Sequence, residues 1–70
     1  MNALFTLVFL VFMAGSGERI ATVHSKEAYT EHECLEKIDE FGPLVAEQFQ
    51  EQKGFKVQLM GMCIPEERKA

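Results

Sequence analysis

Between Ala3 and Ala14 the sequence ALFTLVFLVFMA carries one hydroxyl and no charge, and whatever this chain folds into has to hide that run from water. A membrane-crossing helix needs about 20 apolar residues, and the run is interrupted at Gly15-Ser16-Gly17-Glu18-Arg19. It is too short to span, so a membrane is not an expected partner. A secretory signal has an apolar core of about 7–15 residues, and Ala14-Gly15-Ser16 offers the small residues a peptidase needs. Only Met1 and Asn2 precede the run, however, without the usual positive charge. Phe5, Phe9 and Phe12 with Thr6, Val8 and Val11 are residue types that pack well on a pleated surface. The primary expectation is a retained strand in a cytoplasmic protein. The alternative is a cleaved segment 1–16 and a secreted or periplasmic product.

Seventy residues make a single small domain, which buries only about 60% of the surface its unfolded chain exposes. With 47% of residues hydrophobic, the chain has more apolar surface than one small core encloses, and self-association is expected. A net charge of −4 lacks the clustered cations that bind phosphate, which excludes nucleic acid as an expected partner.

Glycines 15 and 17 supply the positive φ of a tight hairpin connection after the run. Arg19–His24 then reads as a second, shorter strand whose polarity marks it as an edge. From Ser25 the composition turns charged and helical, SKEAYTEHECLEKIDE. Thr30 with Glu33 three residues on has the form of a capping box, placing the helix start near Glu31. Cys34, Ile38, Phe41, Val45 and Phe49 form an apolar stripe at helical spacing, opposite Glu36, Asp39, Glu40, Glu47 and Glu51. Gly42-Pro43 falls inside the stripe without breaking its phase, so one kinked helix is expected. Lys53-Gly54 ends it, and Phe55–Ile64 reads as a third strand stopped by Pro65, followed by a charged tail.

Strand, strand, helix, strand implies an α+β fold of ββαβ order. A right-handed helical crossover makes the second and third strands parallel, and the simplest sheet places the wholly apolar first strand between them, in order 2-1-3 with the helix on one face. No second helix exists to cover the other face. The residues expected there are Phe5, Leu7, Phe9 and Val11 with Met60, Met62 and Ile64, or the alternate set Leu4, Val8, Leu10 and Phe12 from the first strand. An apolar patch of this kind marks an interface, and a second copy packed back to back is the expected cover.

No phosphate loop, dinucleotide turn, nucleophile elbow or zinc-protease helix occurs, and no cofactor is implied. His24, His32, Cys34 and Cys63 are zinc-ligand types, but their spacing fits no zinc pattern and no metal is expected. His24, Tyr29 or His32 could serve as acid or base only if a pocket gathered them. Cys34 and Cys63 both belong to the expected helix–sheet core. A bridge there would close a loop of about 30 residues and contribute roughly 3–4 kcal/mol, although unbridged buried thiols are the expectation in a cytoplasmic chain.

An apolar first strand, a hairpin, an acidic helix with a cysteine in its first turn and a last strand ending Cys-x-Pro together form a pattern that resembles the many short uncharacterised proteins of phage and bacterial genomes. The resemblance implies a binding protein directed at a host protein, an inhibitor or accessory factor, more often than an enzyme.

Overall fold

A computed structural model describes residues 3–66 of the chain, so the charged tail expected from Glu66 to Ala70 lies outside the described residues except for Glu66. The elements are β1 (Phe5–Met13), β2 (Arg19–Tyr29), α1 (Glu31–Lys53) and β3 (Val57–Pro65). Both β2 and β3 run antiparallel to β1 and flank it, giving the sheet order β2-β1-β3 with α1 on one face. The fold is α+β. Because β1 is hydrogen-bonded along both edges, it can be apolar throughout, which is how the uncharged run is accommodated.

The β1–β2 turn has Gly15 and Gly17 at φ 97° and 74°, a region that L side chains avoid. Met13 donates to the Glu18 carbonyl at 2.8 Å and Gly17 to the Met13 carbonyl at 3.0 Å, closing the hairpin.

Beyond it β2 differs from the expected short strand, continuing past His24 to Tyr29, which pairs with Phe5. The Ser25–Glu27 segment reads as the start of a helical region because it is charged. Here it bulges instead, with three residues opposite Leu7 between the pairs Val8–His24 and Thr6–Ala28. The bulge deprives Leu7 of a backbone acceptor. Its N–H is taken by Ser25 Oγ at 3.2 Å, while the same hydroxyl donates to the Glu27 carbonyl at 2.7 Å and holds the bulge in shape. Leu7 is only 3% exposed, so water is a poor substitute for the lost acceptor. Ser25→Ala is therefore expected to lower stability by about 1 kcal/mol, read as a fall in the urea midpoint without a change in slope.

Thr30 caps α1 as its spacing implies. Glu33 N–H donates to Thr30 Oγ1 at 3.3 Å, and Thr30 N–H donates to Glu33 Oε1 at 3.3 Å. At the other end Gly54 takes a left-handed conformation (φ 80°) and donates to the Gln50 carbonyl at 2.9 Å. One helix runs unbroken through Pro43, whose ring lies at an exposed position and supplies no N–H to the Asp39 carbonyl. Glu36, Asp39, Glu40, Glu47 and Glu51 are all exposed.

The core is thin. Leu7, Phe9, Val11, Cys34 and Val57 are buried on the helix side, with Ile38, Phe41 and Val45 packed down from α1 and Leu59 and Cys63 up from β3. The last strand starts at Val57, two residues later than expected, leaving Phe55 outside and exposed. Pro65 is tolerated as its final residue because, in the register Phe5–Pro65, its nitrogen points away from β1.

Contrary to the expectation of free thiols, Cys34 and Cys63 are joined by a disulfide, with Cα atoms 6.1 Å apart. The first turn of the helix delivers Cys34, wholly buried, onto the strand that carries Cys63.

Candidate interaction surface

Strand side chains alternate between faces, so the position of the core determines what the other face displays. Leu7 and Phe9 pack under α1, with Phe5 against them, and Val11 is fully buried. Phe5, Leu7, Phe9 and Val11 are thus on the helix side and do not share a face with Met60, Met62 and Ile64. That expectation is corrected in favour of the alternate set. Thr6 pairs with Ile64, Val8 with Met62, Leu10 with Met60 and Phe12 with Gln58, so the face away from the helix carries Val8, Leu10, Phe12, Met60, Met62 and Ile64 together. On β2 the partners are polar or small: Ala28 faces Thr6, His24 faces Val8 and Thr22 faces Leu10.

This face has an apolar half on β1 and β3 and a polar half on β2. Within the apolar half Val8 is shielded by its neighbours at 8% exposure, whereas Met60 and Ile64, on the outer strand, are 52% and 44% exposed. None of the described elements crosses this side of the sheet.

On the helix side α1 packs against β3 and β1 and only touches β2. A groove of about 400 Å³ is left between α1 and β2, walled by Leu7, Phe9, Val23, Tyr29, Phe41 and Val45, with His24, Ser25, Lys26 and Glu27 along its margin. Its walls are apolar. Of the three candidate acid–base residues, Tyr29 lines it and His32 does not, while His24 borders it but is paired with Val8, which puts its side chain toward the opposite face. His32 instead sits on the outer side of the helix, 2.7 Å from Glu36, with 85% of its side chain exposed.

The four zinc-ligand types do not assemble. Both sulfurs are committed to the disulfide, and among the described residues no three of His, Cys, Asp and Glu come together. Among the same residues no helix is long and apolar enough to cross a membrane.

Gly61 sets how closely α1 approaches β3. A Cβ built there would lie 2.7 Å from Ile38 Cγ2 and 3.2 Å from Phe9 Cε1, so only glycine lets α1 settle onto β3 at this point. A glycine inside a strand is itself the signal of such a close approach. No family model, curated protein or solved structure matches the chain.

Proposed function

We propose that this chain is a small non-enzymatic binding protein that acts as a homo-oligomer, with Met60, Met62 and Ile64 in the surface through which copies meet. The observation that carries the reading is the bare apolar half of the sheet. The accessible surface of 5345 Å² exceeds the roughly 4,450 Å² of a compact chain of 8.0 kDa. The radius of gyration, 13.3 Å against about 11 Å for a compact chain of this length, agrees with a thin, elongated body of 43 × 21 × 17 Å. Such a body gains from a partner. A host protein as the eventual target, in the manner of a phage-encoded inhibitor or accessory factor, is the corresponding reading of the resemblance.

Sedimentation equilibrium tests the oligomer directly. Across the micromolar range the weight-average mass is expected to rise from 8.0 kDa towards twice that value. A constant monomer mass with Met60 freely accessible would contradict it.

A second reading is a secreted or periplasmic protein, a compartment in which such a bridge would persist. In this reading the processing matters: removal of residues 1–16 would take away β1, to which both other strands pair. Mass spectrometry of the protein from its native host separates the readings, because an intact Met1 or Asn2 terminus excludes the cleaved form.

A further inference from the structure

The two outer edges of the sheet are unlike. Along β2 the edge is interrupted by irregularities between Thr6 and Val8 and between Val11 and Phe12 of its partner strand, and it carries Arg19, Lys26 and Glu27. Bulges and charges of this sort are what keep an edge from pairing. Along β3 the pairing with β1 has no irregularity, and the strand VQLMGMCIP contains no charged residue.

Hydrogen bonds at the two ends of β3 show which of its backbone groups are free. Ala14 donates to the Lys56 carbonyl at 3.0 Å and Glu66 to the Leu4 carbonyl at 2.8 Å, so the even-numbered residues of β3 are the ones bonded to β1. The N–H and C=O groups of the odd-numbered residues therefore point outward. Among these, the Val57 N–H is already taken by Gln50 Oε1 at 3.3 Å, and Pro65 has no N–H to offer. Leu59, Gly61 and Cys63 remain as an uninterrupted window of outward donors and acceptors.

The geometry points to a second copy of this chain pairing antiparallel along β3, with Gly61 opposite its own equivalent on a two-fold axis. This deepens the homo-oligomer reading and rests on it. The window is self-complementary: in that register Leu59 faces the partner's Cys63 and Cys63 the partner's Leu59, each pair exchanging two hydrogen bonds as closely spaced antiparallel pairs do. At both ends Val57, whose donor is occupied, falls opposite Pro65, which lacks one. Every free donor is used, and the two positions unable to donate are matched with each other. A strand of arbitrary sequence would not share this symmetry, which is why a second copy is the fitting occupant.

On the bare face the same register sets Met60 beside the partner's Met62, so the most exposed apolar side chains of β3 gain cross-strand neighbours. On the helix side the arrangement leaves room. Strands lie about 4.8 Å apart, and α1 lies over β3 and β1, so its axis stands about 5 Å from the two-fold and the two helices about 10 Å apart, near the usual 8–10 Å of packed helices. Gly61 adds no side chain beneath them at the centre.

Amide hydrogen exchange followed by NMR on the intact, oxidised protein, at concentrations below and above the association midpoint, tests the pairing. The Leu59, Gly61 and Cys63 amides are expected to exchange at least ~10-fold more slowly in the associated state, while the Val57 amide, already bonded to Gln50, changes little. Association with all three amides still exchanging as in the monomer would overturn the edge pairing and leave the oligomer standing, pointing to back-to-back packing of the sheets. A monomer at every concentration would overturn both.

Discussion

Opening the Cys34–Cys63 bridge is expected to cost this protein about 3.5 kcal/mol. The two residues are 29 apart in sequence, and freeing a loop of that length returns about 12 cal/mol/K of entropy to the unfolded chain, which at room temperature is the figure just given. A chain of this size has a total stability of only about 3.5–10 kcal/mol, so the reduced protein should stand near the edge of unfolding. The packing argues in the same direction. Cys34 is wholly buried and its helix reaches the sheet chiefly through β3, so the bridge anchors the first turn of α1 where few other contacts do. Urea denaturation of the oxidised protein, the reduced protein and the Cys34→Ala/Cys63→Ala variant, all at one protein concentration, measures the effect. Agreement of the reduced and oxidised forms to within about 0.5 kcal/mol would show that the bridge adds nothing to the fold, against the entropic estimate.

Gly61→Ala is expected to be the other severe substitution, at about 2 kcal/mol. In most strand interiors the change would help, since glycine is worth roughly 0.5–1 kcal/mol less than alanine there. Here the new carbon would lie 2.7 Å from Ile38 Cγ2 and 3.1 Å from Ile38 Cγ1. A β-branched residue in a helix has essentially one rotamer, so Ile38 cannot swing aside and α1 must lift from β3 instead. The cause is checked by a double-mutant cycle with Ile38→Ala. That variant is destabilising on its own account, yet in its background Gly61→Ala should lose most of its cost, giving a coupling of about 1–2 kcal/mol. Additive effects would mean that the helix does not rest on Gly61.

These two sites differ in how far the sequence announces them. The apolar run reads as a central strand because no other element of the chain could be flanked on both sides, and that reading with one helical crossover leads to the order β2-β1-β3. The ends of α1 are equally legible, since Thr30, Glu33 and Gly54 act through local hydrogen bonds that depend on spacing alone. The two faces of β1 are another matter. Both Phe5, Leu7, Phe9, Val11 and Leu4, Val8, Leu10, Phe12 are apolar, so alternation within the strand carries no information about which set meets the helix. Long-range contacts decide it, through the bridge at Cys63 and the seat of Ile38 on Gly61. The length of β2 was hidden for a similar reason: Ser25–Tyr29 has helical composition, and its extended form depends on Tyr29 finding Phe5 and on Ser25 satisfying Leu7. No local propensity encodes either partner.

The bare half of the sheet is the surface proposed for association, and its methionines report on it directly. In a sample labelled with carbon-13 at the methionine methyl groups, Met60 and Met62 lie on the open face, whereas Met13, paired with Val57 at the end of β1, lies on the other parity. Over the concentration range in which the sedimenting mass rises above 8.0 kDa, the Met60 and Met62 methyl signals are expected to shift or broaden while that of Met13 holds its position. A mass that doubles with the Met60 and Met62 signals unmoved would place the contact elsewhere and contradict the account.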